Sequence, residues 1–178
     1  MHGPIVEPAD VVAVTHYHED HGWIGGVPGA PIVVDRSRTA HGVRFRTTVA
    51  PHDSGDGSHM GLSRTIAFTL DGVRVLHPGD FGRAPDVLDP VDLLLVPVGG
   101  KYTIGPAEAA ALVRRVSPRW VVPMHFRSTK VDLDMAPREA FVDALGGEFA
   151  VVMAGSELVC ERTALGGTTE VVLMEPAL

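Results

Sequence analysis

The stretch DVVAVTHYHEDHG, Asp10 to Gly22, runs from valines straight into histidines and carboxylates. A short apolar run rich in β-branched residues predicts a buried strand, and continuous apolarity without alternation predicts cover on both faces. His16, His18, Asp20 and His21 follow directly at its C-terminal end. Residues i and i+2 of a chain leaving a strand project the same way, so His16 and His18 point together. Asp20 and His21 come after the chain has begun to turn. A metal site needs deprotonated lone-pair donors that converge on one point. Imidazole and carboxylate suit zinc, manganese or iron. The spacing serves two adjacent metals better than one. A donor-rich loop at a strand's C-terminal edge is also where α/β folds place function.

The remaining pattern supports that fold class. PIVVD at 31–35 is a second strand candidate. GVRFRTTVA at 42–50 alternates, with Val43, Phe45, Thr47 and Val49 on one face. Residues 51–61, PHDSGDGSHMG, have loop composition. RTIAFTL and VRVLH read as strands joined by Asp71-Gly72, a strong hairpin signal. VDLLLVPV at 91–98 is a continuous apolar strand. Residues 105–117 predict a helix, with Pro106 in its first turn and a stripe of Ala109, Leu112, Val113 and Val116. RWVVPM at 119–124 is another strand, and 137–147 predict a short helix closed by glycine. Three further strands are expected near 148–153, 157–161 and 170–174. No linker or repeat divides the 178 residues, so one α/β domain over 1–178 is predicted.

Composition narrows the function classes. The formal net charge is −7 and no Lys/Arg-rich stripe is visible, which disfavours a nucleic-acid surface. No apolar run is long enough to span a membrane, and the N-terminus lacks signal-peptide features. Cys160 is the only cysteine, so no internal disulfide forms and a cytoplasmic location is expected. Cys160 itself reads as a small core residue.

The chain also resembles the metallo-β-lactamase superfamily, from about Asp10 to the C-terminus. H-x-H-x-D-H, here His16, His18, Asp20 and His21, matches that superfamily's signature. APHDSG resembles the segment carrying the next histidine ligand, His52. HPGDFG resembles the segment carrying the bridging aspartate, Asp80, and VVPMHF the strand end carrying the last histidine, His125. VDLLLVPVGGKYTIGPAEAA and VVPMHF look most like the branch of L-ascorbate-6-phosphate lactonase-like metal-dependent hydrolases.

The resemblance implies an αββα sandwich and two divalent metals, zinc first, with manganese or iron as alternatives. His16, His18 and His52 would hold one metal, and Asp20, His21 and His125 the other, with Asp80 bridging. A metal-bound hydroxide, oriented by Asp20 or Asp80, would attack an ester, lactone, amide or phosphoester of a small molecule. The alternative is a shortened, non-catalytic metal-binding member. Family members normally carry strands ahead of the first motif, whereas this chain reaches it at His16. The resemblance therefore implies an N-terminally shortened domain with an exposed sheet edge and a tendency to form homo-oligomers.

Other residues stay open. His59 rivals His52 within the same loop, although His52 comes directly after a strand, where a ligand is held more rigidly. His77, three residues before Asp80, is either an orienting partner or a packed histidine. His2, His41 and Glu19 read as surface residues. Lys101 and Tyr102, in GGKYTIG, are candidates to attract and hydrogen-bond an anionic substrate; an ordinary exposed loop lysine is the plainer reading.

Overall fold

The computed structural model describes residues 5–19, 21–85, 88–129 and 133–175. Two short strands come first, β1 (Val11–Ala13) and β2 (Ile32–Val34), which pair in parallel with Val12 opposite Val33. The others are β3 (Arg38–Ala40), β4 (Val43–Pro51), β5 (Leu62–Leu70), β6 (Val73–His77), β7 (Leu93–Pro97), β8 (Trp120–Met124), β9 (Ala150–Ala154) and β10 (Glu170–Met174). These eight make one sheet in the order β3-β4-β5-β6-β7-β8-β10-β9. The β3–β6 part is antiparallel, and β6, β7, β8, β10 and β9 run parallel. Helices α1 (Pro106–Val116) and α2 (Arg138–Leu145) complete the α/β fold.

Local chemistry accounts for several of these boundaries. Asp71 and Gly72 have φ of 49° and 81°, both positive as a type I′ hairpin turn requires. Pro106 opens α1, where its missing N–H costs nothing. Gly146 ends α2 in the left-handed conformation. The period of two along β7 sorts Leu94 and Val96 to one face and Leu93 to the other.

The main core lies on the first of those faces. Leu76, Leu94, Val96, Val121 and Val171 of the sheet meet Ala109, Leu112 and Val113 of α1 and Phe141 and Leu145 of α2. On the other face, β1 and β2 pack beside Phe45 and Ile66, and the segment between β9 and β10 lays Leu158, Cys160 and Leu165 over Val73, Trp120 and Val172. Cys160 is thus half-buried against the core, and burial pushes its thiol pKa up.

Three expectations change. Strand 10–15 is only three residues long, and it pairs with β2 alone rather than lying inside a sheet. Val11 and Val12 are half-buried and Ala13 is exposed, because no third strand flanks β1 among the described residues. Residues 157–161 form no strand; they cover the sheet face with Leu158 and Cys160 in irregular conformation and lead into a 3₁₀ turn at Arg162–Ala164. Strand β3 had no signal of its own. Its three residues, RTA, are held only by pairing with β4.

Phe141 is fully buried between the helices and the sheet. Phe141→Ala should cost about 3–5 kcal/mol through lost burial and a residual cavity. Val151→Thr, on the exposed β9, should stay within roughly 0.5 kcal/mol. Urea denaturation of both variants checks this contrast.

Candidate metal centre

β4, β6, β7 and β8 all end at the same edge of the sheet, because β6, β7 and β8 are mutually parallel and β4 lies two antiparallel steps from β6. The residues immediately after those ends are His52, Asp80, Gly99–Thr103 and His125. The histidine loop that follows β1 comes to the same place. Arg64 donates its backbone N–H to the Thr15 carbonyl at 3.0 Å, which ties the end of that short strand to β5.

Asp80 is the focus. Its Oδ2 lies 3.9 Å from His16 Nε2, 3.4 Å from His21 Nε2, 3.7 Å from His52 Nε2 and 3.5 Å from His125 Nε2. The carboxylate is buried, as are His16 and His52. His18 joins His16 and His52 in a second group of donors, whose ligating atoms all lie within 4.8 Å of one another. The rings of His16 and His18 meet edge-on at 4.7 Å between centroids. The structure therefore brings together His16, His18, His21, His52, Asp80 and His125. Asp20 lies outside the described residues, as does His2.

Hydrogen bonds decide which ring nitrogen faces inward. His52 Nδ1 is 3.1 Å from the Tyr102 carbonyl. A carbonyl only accepts, so Nδ1 carries the hydrogen and Nε2 presents a lone pair. That lone pair faces His16 Nε2 at 3.2 Å as well as the Asp80 carboxylate. His16 Nδ1 meets the Thr15 hydroxyl at 2.9 Å. Burial, followed by the neighbouring His21, lowers the His16 pKa to about 4, so its ring is neutral at pH 7. His125 Nδ1 is buried with no hydrogen-bond partner among the described residues. Lone pairs and a carboxylate oxygen crowded into one small volume draw positive charge in among them, as shared protons or as a metal cation. Every donor is N or O, a set that fits zinc, manganese or iron.

Backbone geometry makes the convergence possible. Gly79 has φ of 61°, and a Cβ there would lie 2.6 Å from Ser63 Oγ and 2.8 Å from Thr15 Cβ. Ser63 Oγ also accepts the Asp80 N–H at 3.3 Å. Two residues past Asp80, a Cβ on Gly82 would approach the Asp53 backbone to 2.2 Å. Only glycine lets these segments pack so closely.

The loop after His52 is organised by Asp53, a residue that sequence reasoning passed over. Its carboxylate accepts backbone N–H groups from Gly55, Gly57, His59 and Met60 at 2.7–3.1 Å. Those bonds, Met60's first, hold its pKa below the ordinary carboxylate value. The available signal was an aspartate two residues before glycine, an arrangement that closes a side-chain-to-backbone turn. His59 points outward and contributes only its backbone N–H, which separates it from His52.

The remaining candidates also find places. His77 is largely buried, accepts the Gly79 N–H on Nδ1 at 3.1 Å, and has its pKa lowered first by burial. It braces the Asp80 turn rather than joining the donor groups. Lys101 is half-buried and lies 4.0 Å from Asp134, while the Tyr102 ring is 48% exposed beside the centre. Glu19 and His41 are exposed as expected.

Comparison with known proteins agrees with this geometry. Residues 2–125 match the model of the beta-lactamase superfamily domain. A UPF0173 metal-dependent hydrolase of Methanoculleus marisnigri is 35% identical over 154 residues, covering 70% of this chain and 69% of its own. Another of that name from Thermococcus kodakarensis is 33% identical, covering 84% and 81%. Among solved structures, a Thermotoga maritima protein assigned as a zinc-dependent hydrolase of the metallo-beta-lactamase superfamily superposes with a TM-score of 0.69. It is 29% identical and covers 94% of this chain and 84% of its own. By its sequence, its fold and the order of its donor segments, the chain belongs to the metallo-β-lactamase superfamily.

Proposed function

We propose that the chain is a metal-dependent hydrolase holding two divalent metals, zinc first, through His16, His18, Asp20, His21, His52, Asp80 and His125. The observation that carries this reading is the His52 lone pair, fixed by the Tyr102 carbonyl and facing both His16 Nε2 and Asp80 Oδ2. The relatives' shared designation as metal-dependent hydrolases supports it. His16, His18 and His52 form one half of the donor set. His21 and His125, with Asp20, form the other, and Asp80 lies between them.

When bound, the metals supply an activated water and polarise the substrate's carbonyl or phosphoryl oxygen. The protein's own groups do the positioning. The Thr15 hydroxyl and the Tyr102 carbonyl hold the His16 and His52 rings at their Nδ1 atoms, so that Nε2 of each faces the centre. Asp80, and Asp20 in this reading, orient the attacking water. Lys101 is held weakly, by a screened 4.0 Å pair with the fully exposed Asp134 and by the face of the Tyr102 ring 5.7 Å away. It is therefore free to attract an anionic substrate, with Tyr102 beside it as a hydrogen-bond donor. The bond hydrolysed is an ester, lactone, amide or phosphoester of a small molecule. We read 1–178 as one cytoplasmic domain. Exposed Val151, Val152 and Met153 on the edge strand β9 favour homo-oligomers.

Asp80→Asn should abolish hydrolysis of p-nitrophenyl esters and bis-p-nitrophenyl phosphate and lower metal content by elemental analysis. His59→Ala should leave both near the parent value. Metal bound at full content with no turnover of any ester, lactone or phosphoester would identify the non-catalytic alternative. Absence of metal after reconstitution would remove the reading altogether.

The pH dependence has a definite sign. The neutral form of His16 is favoured in the fold, whereas an unfolded histidine protonates near 6.5. Stability of the metal-free chain should therefore be complete above about 6.5 and fall as pH drops towards about 4. Thermal melts in chelator across that range test it. His16→Gln should flatten the slope.

A further inference from the structure

A cleft of about 530 Å³ opens at the opposite end of the strands from the metal centre. Its floor is the helix-side face of β4, β5 and β6. Arg46 lies opposite Ala67, and Ala67 opposite Leu76. In the adjoining row Thr69 lies opposite Arg74, and continuing the β4–β5 register sets Arg44 beside Thr69. Two short side chains on the middle strand are thus ringed by longer ones, which is why the sheet is hollow there. The remaining wall is Leu88, Asp89, Pro90 and Val91. Arg74, near the start of β6, is six residues before Asp80, up to about 20 Å at ~3.3 Å per residue, so the cleft is separate from the donor cluster.

Charge distinguishes this cleft within an acidic chain. Arg44 forms no ion pair or side-chain hydrogen bond among the described residues. Arg46 pairs with Asp89 at 2.7 Å, but both side chains are 55% exposed, and such a pair is weak and screened. Arg74 is clamped through Nε and Nη2 by the buried Asp92 carboxylate, which keeps its guanidinium fixed. Three arginines against two aspartates leave one net positive charge, with a second arginine held only loosely. Guanidinium groups bind oxyanions in paired, directional hydrogen bonds. Guanidiniums on β4 and on β6, with the Thr69 hydroxyl on the strand between them, suit an oxyanion of three oxygens better than a carboxylate of two. Leu88, Pro90 and Val91 offer an apolar wall to whatever carries it.

We propose that this cleft binds a small phosphate monoester, its phosphate between Arg44 and Arg46 and its apolar body against Leu88–Val91. Binding displaces Asp89 from Arg46. That exchange gives the proposal an unusual sign: removing the Asp89 charge strengthens the site.

The test uses the 178-residue chain titrated with phenyl phosphate and with inorganic phosphate. NMR reads the arginine Nε–H signals, assigned through the Arg44→Gln and Arg46→Gln variants. Saturable shifts at Arg44 and Arg46 are expected, with phenyl phosphate tighter than inorganic phosphate. Each Gln variant should weaken binding about tenfold or more. Asp89→Asn should tighten it severalfold, whereas Asp56→Asn, the same charge change on an exposed loop at the other end of the strands, should not. Shifts confined to the histidines of the metal centre would overturn the proposal. So would unchanged affinity in Arg44→Gln, or Asp89→Asn affinity no better than that of Asp56→Asn.

Discussion

Four imidazoles face one buried carboxylate oxygen. Asp80 Oδ2 has the Nε2 atoms of His16, His21, His52 and His125 within 3.4–3.9 Å, and much else in the structure serves that meeting. Bringing those rings to the carboxylate needs four chain segments to meet at one place: the loop after β1 and the ends of β4, β6 and β8. The sheet supplies three of them by finishing β4, β6 and β8 at the same edge, and the Thr15–Arg64 hydrogen bond ties the fourth to it. The rings then crowd lone pairs against a carboxylate in a poorly hydrated volume. Such an arrangement is unfavourable by itself and becomes favourable with a cation. Stability and function are linked here through one charge.

This linkage explains which parts were legible in the sequence. The candidate donors sit where local pattern is strongest, at or just after the ends of apolar strands: His16 stood out in its own donor-rich loop, and the resemblance of the flanking motifs pointed to His52, Asp80 and His125. The Asp71-Gly72 hairpin and both helices were equally plain, because turn chemistry and the 3.6-residue period act over a few neighbours. Strand β3 was not legible, since three residues with a single β-branched Thr39 are too short to signal a strand and are held by pairing with Val43, Arg44 and Phe45. The opposite error came at 157–161. There an apolar alternation suggested a strand, but Leu158 and Cys160 bury themselves as a cover over the sheet instead. The apolar run at 10–15 overstated burial for a related reason: cover depends on neighbouring strands, which a local pattern does not report.

Within the site, the contributions hidden from sequence were mostly backbone ones. Asp53 organises its loop by accepting four N–H groups. Gly79 and Gly82 matter for the atoms they lack. The partner of His52 is a carbonyl rather than a side chain. No residue type announces these roles, because any residue has a carbonyl and an N–H. They emerge only when distant segments are placed together.

The Tyr102 carbonyl has a consequence for how such a centre diversifies. Residue 102 adopts a left-handed conformation, φ 59°, and turns its carbonyl to His52 while its ring stands at the rim. One residue therefore has two audiences: its main chain addresses the histidine cluster and its side chain addresses the solvent. The side chains of Lys101 and Tyr102 can be exchanged over generations without disturbing the histidine behind them, provided the loop keeps its bend. Innovation at the rim is thereby insulated from the chemistry beneath it, and an ancestral centre can acquire new tastes while its interior stays unaltered.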